Sequence, residues 1–431
     1  MEQKGIAEKS LAVYFISLGT LMYYLLSQTI NIPYTIPARQ LVVGVILLSE
    51  FIYFIFRPNI ARSYVSIKGA LLLSVPFLVM ITVSLPVWFF ERVEWVEIYR
   101  ASWNYLLYVN QLLAALVAAA FLYLFGEKGI WYNLIAVLAA NLLMIITIMV
   151  ENGVGVYLRE LTQLIITFAG DTGEVIQKAE IHELAFCLGA YLVYMMLYFQ
   201  KNRRFLFLML LTLFCFLSAF KRIAIVAILV SAGVGWGMRI LNGRGKVKTV
   251  RCLMQIILLA SCAALVLYIA FVRYGGFHWL EEIGIDTMSR ADIYDQVEDY
   301  YTFSPDYAGH GMGYLSYQLT RVVELWETAI HNDFLQFYID LGFWGYIAWL
   351  LSLTVLRIWY FGRGNKTDSA ILAFAMTCYI LILSTTDNTL NYQMFHTCTG
   401  LLMIGHRFDR NVEEADEKLF GFVERQNRRA T

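Results

Sequence analysis

Charged side chains are scarce in this 431-residue sequence: Asp, Glu, Lys and Arg make up 15% of it and hydrophobic residues 59%, where an ordinary soluble domain carries about 25% charged residues. That shortage excludes a water-solvated globular surface and places the chain in the membrane class. No excess of either sign remains, because 33 basic residues face 33 acidic ones, so the overall charge gives no reason to expect a nucleic-acid partner. Cysteine pairs at metal or redox spacing are missing too. Cys187, Cys215, Cys252, Cys262, Cys378 and Cys398 form no CxxC or Cys/His pattern and mostly fall inside apolar runs, so they read as reduced core residues. His182-Glu183 resembles the start of a zinc-protease helix, but position 186 is Phe and the second histidine is absent. Neither a metal nor a cofactor is expected. The first apolar run lacks a small-residue cleavage site and reads as an uncleaved helix. Internal repeats and low-complexity segments are lacking as well.

What the sequence has instead is a succession of apolar runs of about 20 residues, the length that crosses a hydrocarbon core of about 30 Å. A membrane barrel would show shorter alternating segments. The pattern predicts an all-α polytopic membrane protein of about twelve transmembrane helices. They fall near residues 11–29, 41–56, 68–90, 103–125, 130–150, 183–200, 205–220, 223–240, 252–272, 333–356, 369–386 and 392–405. Most Lys and Arg lie in alternate loops, including Arg57, Arg62 and Lys68, then Lys201, Arg203 and Arg204, then Arg244 to Arg251 and Arg357 to Lys366. Basic loops stay in the cytoplasm, so both termini are expected inside. On this reading the chain runs through N-terminal helices and a first long outer segment (1–182), central helices (183–272), a large extracytoplasmic loop (273–332), C-terminal helices (333–405) and a cytoplasmic tail (406–431).

A loop as long as 273–332 is expected to be a functional element and not a mere link. Ile293, Val297, Tyr300 and Tyr301 recur in it at helical spacing, predicting a short helix on the membrane face that Pro305 should end. Gly309-His310-Gly311-Met312-Gly313 reads as a flexible turn, since alternating glycines permit positive φ. No strand precedes it and no Walker lysine follows, so it is no nucleotide signature.

Several residues could carry chemistry. Lys221 and Arg222 are the whole polar content of a very short outer turn, against the positive-inside tendency, and something should compensate them. They are either an anion site, where a guanidinium fork grips phosphate, or side chains snorkelling to headgroups. Arg290 stands with Arg273 and Arg321 as the basic residues of an acidic loop, either paired to a carboxylate or reserved for a ligand. His331-Asn332-Asp333 opens an apolar helix, and Asn332, Gln336 and Asp340 recur every four residues. Such a stripe should face a water-filled cavity or other helices. His331 is suited to take a proton from a hydroxyl nucleophile, or else belongs to a capped helix start. His310 and His278 in the same loop, and His182 beyond it, are alternatives.

Three stretches resemble the O-antigen ligase and polymerase superfamily, the Wzy-type bacterial polysaccharide polymerases. They are Ser218-Ala219-Phe220-Lys221-Arg222-Ile223-Ala224; Ser289-Arg290 with Gly311-Met312-Gly313; and His331-Asn332-Asp333-Phe334-Leu335-Gln336 leading to Leu341-Gly342-Phe343-Trp344-Gly345. The resemblance covers about residues 215 to 346. It implies a GT-C-like membrane fold that acts on undecaprenyl-diphosphate-linked glycans outside the bacterial cytoplasmic membrane, without nucleotide sugar, metal or cofactor. Arg222 and Arg290, with Lys221, match its diphosphate-binding positions, and His331 its catalytic histidine. Arg273, His310, Arg321, Asn332, Asp333 and Gln336 are candidate substrate or cavity contacts. Alanine and phenylalanine stand before Lys221-Arg222 where members of the family more often carry small or hydroxyl residues. The implied function is polymerisation of lipid-linked repeat units into O-antigen, capsule or exopolysaccharide. Membrane lipids, a flippase and a chain-length regulator are the implied partners. Ligation of finished glycan to another acceptor is the alternative. A transporter or lipid flippase is the more distant one, against which stand the missing repeat and the concentration of candidates on one face.

Overall fold

All regular structure in the computed structural model is helical among the described residues, which are 2–27, 35–90, 95–167, 173–219, 221–285, 287, 289–321, 330–363 and 366–418. In chain order the helices are α1 (Glu2–Ser27), α2 (Thr35–Phe56), α3 (Ile60–Phe90), α4 (Trp95–Phe125), α5 (Lys128–Asn152) and α6 (Val154–Thr167). Then come α7 (Glu174–Gln177), α8 (His182–Leu197), α9 (Arg203–Ser218), α10 (Arg222–Gly243), α11 (Val247–Arg273) and α12 (Gly276–Glu282). The last are α13 (Arg290–Asp295), α14 (Tyr314–Arg321), α15 (Asp333–Leu351), α16 (Arg357–Phe361), α17 (Thr367–Ser384) and α18 (Gln393–Gly405). A π-helical turn, Ser352–Leu356, joins α15 to α16.

Helix is the structure that satisfies every backbone N–H and C=O within one segment, as a bilayer requires. Among the described residues eight helical stretches are long and apolar enough to cross: they lie in α1, α2, α3, α5, α10, α11, Asp333–Phe361 and α17. Shorter apolar stretches are Gln111–Phe125 of α4 and α8. Among the described residues each of the twelve segments expected from hydropathy overlaps a helix over most of its length, although only eight stretches meet the length of a crossing. Large apolar side chains point outward in rows: Leu41, Leu48 and Ile55 of α2 are 69%, 58% and 58% exposed. A surface so apolar is covered by lipid. The chain is a polytopic, all-helical membrane protein.

The chain forms two compact units. The first comprises Met1–Leu71, Leu113–Gly233 and Gln393–Thr431. In it α1 packs closely on α5, where a Cβ on Gly19 would come within 2.9 Å of the Ala136 Cβ, the close approach that small residues allow. Tyr23 donates to Asn133 Oδ1 (3.0 Å), and the Asn133 amide donates to Tyr191 Oη (2.8 Å). That chain of bonds lets a fully buried asparagine stay inside an apolar bundle. Beyond α5 the first long segment between apolar runs holds α6, which hydropathy alone does not mark. Its buried Tyr157, Leu161 and Leu164 recur every three or four residues, so the period was present but too short to resemble a crossing.

The second unit comprises Leu72–Leu112 and Val234–Tyr392 and contains the large loop. The expected helix there forms only in part, as α13 and the 3₁₀ turn Glu298–Tyr300. Its buried positions are Ala291, Tyr294, Val297 and Tyr301; Ile293 and Tyr300 are only half-buried. Pro305 does not end it. Tyr301 is already extended (φ −153°, ψ 159°), with its ring edge-on to Tyr338 and 5.6 Å from the Arg273 guanidinium.

The glycine-rich turn is also not the flexible element expected. Gly309, Gly311 and Gly313 do take positive φ (79°, 88° and 91°), but Asp340 clamps the segment. Its carbonyl accepts from His310 N and Gly311 N (3.1 and 2.7 Å), and its carboxylate from Gly313 N and Leu315 N (2.8 and 2.9 Å). Gly342, itself at φ 73° inside α15, lies so close to Gly309 that a Cβ on either would strike the other's backbone. Gly342→Ala is therefore expected to cost at least the roughly 1–3 kcal/mol of a forced backbone conformation, read as a lowered Tm in detergent. An unchanged Tm would show that the crossing tolerates a side chain.

The candidate functional site

Asn332, Gln336 and Asp340 are buried, and the stripe meets protein groups instead of lipid. Asn332 starts α15 as its N-cap, accepting from Leu335 N (3.1 Å). Its amide donates to Tyr268 Oη of α11 (2.9 Å) and Tyr294 Oη of α13 (3.0 Å). Gln336 Nε2 donates to Ser316 Oγ of α14 (3.0 Å). Asp333 Oδ2 accepts from Thr389 Oγ1 (2.9 Å) and Leu390 N (3.1 Å), in the turn that follows α17. Asn332 thus ties the start of α15 to α11 and α13, Asp333 ties it to that turn, and Gln336 ties the helix to α14. Burial pushes the Tyr294 phenol up, so it remains a neutral hydrogen-bonding group.

Arg290 is the first residue of α13 and half-buried. Its Nη2 donates to the Thr386 carbonyl (3.4 Å), while Nε is buried with no partner among the described residues. Because Tyr294 of the same helix bonds Asn332, the element bearing Arg290 is pinned to the residue next to His331. Only three non-glycine residues among those described have positive φ, and two are His331 (49°) and Ser289 (59°), which immediately precedes Arg290. A left-handed backbone at a bulky residue persists only where its surroundings impose it, and such strain gathers at functional sites.

The other loop candidates are engaged in building the loop. Arg273 is ion-paired with Glu298. His310 stacks on Tyr314 (centroids 4.0 Å apart), with Nε2 3.1 Å from the Tyr300 carbonyl. His278 sits on the surface 2.9 Å from the Asp295 carboxylate, whose hydrogen bond and charge raise the imidazole pKa. Arg321 closes α14, and its side chain lies outside the described residues, as do Phe220 and Met288.

Lys221 and Arg222 belong to the first unit. The expected compensation exists for one of them: Lys221 Nζ lies 2.7 Å from Glu180. Arg222 opens α10 and is exposed. Glu180 was not singled out from sequence, nor were Thr386, Asn388 and Thr389. The signal for the last three was the unbroken polar run Thr385-Thr386-Asp387-Asn388-Thr389 between two apolar helices.

A half-buried guanidinium with an unfilled N–H suits a phosphate oxygen, and an imidazole on the same scaffold suits proton transfer. Among curated proteins no match to the chain is found. Residues 207–350 match the family model Wzy_C, described as O-antigen ligase. The matched stretch contains Lys221, Arg222, Arg290 and His331, and it places residues 207–350 of this membrane protein in the O-antigen ligase and polymerase superfamily.

Proposed function

We propose that the protein is a GT-C-like glycosyltransferase of a bacterial inner membrane that polymerises undecaprenyl-diphosphate-linked repeat units into a surface polysaccharide on the extracytoplasmic face. The observation that carries this reading is the linkage of Arg290 and His331 through Tyr294 and Asn332, within the stretch that matches the family. In the reaction an acceptor hydroxyl attacks the anomeric carbon of the donor. The bond from that carbon to the diphosphate oxygen breaks, and the diphosphate leaves with the electron pair. His331 takes the hydroxyl proton, and Arg222 and Arg290 balance the charge on the departing phosphate. Attack opposite the leaving group inverts the anomeric centre. Lys221, already balanced by Glu180, adds to the local field without serving as the principal ligand. No cofactor enters, and the partners are lipid-linked glycans, membrane lipids, a flippase and a chain-length regulator.

Ligation is the second reading, favoured by the description of the matching family. Purified protein in nanodiscs, given lipid-linked repeat units, separates the two: polymerisation yields a ladder of lipid-linked lengths without further acceptor. Products that appear only when a lipid A-core acceptor is added would overturn polymerisation in favour of ligation.

The reading also requires the large loop outside and both termini inside. With native cysteines replaced, including the exposed Cys252, a cysteine at the exposed Gln296 is expected to react with a membrane-impermeant maleimide in intact cells. Reaction only after permeabilisation would reverse the orientation.

A further inference from the structure

The turn between α17 and α18 is held on several sides. Gln111 of α4 donates to the Leu390 carbonyl (2.5 Å), while Leu390 N and Thr389 Oγ1 bond Asp333. Asp387 Oδ1 accepts from Asn388 N and from Tyr392 Oη, both at 2.8 Å. Within this fixed frame four buried polar atoms have no hydrogen-bond partner among the described residues: Arg290 Nε, Thr386 Oγ1, Asn388 Oδ1 and Asp333 Oδ1. The residues that carry them are linked by the bonds already described. Arg290 reaches the Thr386 carbonyl, Asn388 lies two residues further, and Asp333 holds the next residue, Thr389. Asn388 and Asp333 are 8% and 0% exposed, so bulk water does not serve these atoms, and leaving them unmet is costly.

Their chemistry is mixed in an informative way. Arg290 Nε is a donor and needs an acceptor such as a phosphate oxygen. Asn388 Oδ1 is an acceptor and needs a donor, which a phosphate diester lacks and a sugar hydroxyl supplies, and a hydroxyl meets Asp333 Oδ1 whether or not that carboxyl carries a proton. Thr386 Oγ1 can do either. A glycosyl phosphate carries both kinds of group on adjacent atoms.

We propose that Thr386, Asn388 and Asp333 form, beside Arg290, a subsite for the hydroxyl groups of the sugar directly attached to the lipid diphosphate. The subsite reads the sugar while Arg290 holds the phosphate, and Asn388 is its specificity-determining residue. The inference rests on the donor assigned under the proposed function. It adds that the last outer turn, which lies outside the family match, distinguishes a glycosylated lipid from a bare one.

The test compares two probes on the full chain in nanodiscs: undecaprenyl diphosphate, and the same lipid bearing one N-acetylglucosamine. Asn388→Ala is expected to weaken the glycosylated probe about five- to tenfold, the worth of one buried hydrogen bond, and to leave the bare lipid within about twofold. Asn388→Asp keeps the acceptor oxygen and is expected to restore binding, whereas Arg290→Lys weakens both probes. Equal losses for both probes with Asn388→Ala, or none for either, would overturn the subsite; the second result would mean that water fills these atoms. If the wild-type protein binds neither probe, the donor reading itself fails and the subsite falls with it. If the wild type binds both and Asn388→Ala does not discriminate, the subsite alone falls.

Discussion

His331→Ala is expected to slow glycan extension by about 10² to 10⁴-fold, the usual contribution of a positioned general base, while donor-lipid binding stays near wild type. His331 is held at φ 49°, one residue before the Asn332 cap, and that cap is bonded to both Tyr268 and Tyr294. The imidazole is therefore carried on a backbone whose position the rest of the cluster dictates. A base with this duty should act on turnover and much less on the binding of a diphosphate held by arginines. The measurement is single-turnover extension alongside lipid binding in nanodiscs. Polymer rate and length unchanged in the alanine variant would remove His331 from the mechanism. His331→Gln separates two roles: glutamine can orient a hydroxyl by hydrogen bonding but cannot take its proton at neutral pH. Loss of turnover in both variants supports proton transfer, and recovery with glutamine would assign His331 an orienting role.

Arg222→Lys and Arg290→Lys should each reduce turnover by about 10² to 10³-fold, the scale seen when one donor to a developing oxyanion is removed. Lysine keeps the charge but loses the planar fork that meets two phosphate oxygens at once. At Arg290 the geometry adds a second reason. Nη2 is engaged by the Thr386 carbonyl while Nε remains open, a division of labour that an ammonium cannot reproduce. If the two arginines grip one diphosphate, the double variant should lose much less than the sum of the single losses, since residues acting on one group couple energetically. Wild-type turnover in either lysine variant would sink the bidentate claim. Strictly additive losses would assign the two arginines to separate ligands.

Much of the architecture was legible from hydropathy, because a transmembrane helix announces itself in about 20 consecutive residues. Where the signal is shorter, it failed. Helix α6 shows its buried face at Tyr157, Leu161 and Leu164 but is only 14 residues long. The helix expected to run to Pro305 ends at Tyr300, because the Tyr301 ring is drawn among Tyr338 and Arg273. In the candidate site, Arg290 stood out as a basic residue of an acidic loop, and His331 and the Asn332–Gln336–Asp340 stripe as polar groups at and below the start of an apolar helix. Their partners did not: the polar run Thr385 to Thr389 was visible as a run, but neither it nor a scattered serine or tyrosine carries a mark of which distant group each residue will meet.

The sequence by itself determined that this chain crosses a membrane many times, roughly where its helices lie, and the order in which its candidate residues occur. Those properties follow from local composition, since the cost of placing a residue in hydrocarbon depends on that residue and its near neighbours. Only the tertiary structure decided the pairing of the polar groups. Asp340 closes on Gly313 and Leu315, and Asp333 on Thr389 and Leu390; Lys221 closes on Glu180, and Asn332 on Tyr268 and Tyr294. A buried polar group must find a partner, but which partner it finds is set by how the helices pack. That packing decided between the two surroundings open to the stripe, a water-filled cavity or other helices, and made its residues struts of the loop that carries Arg290.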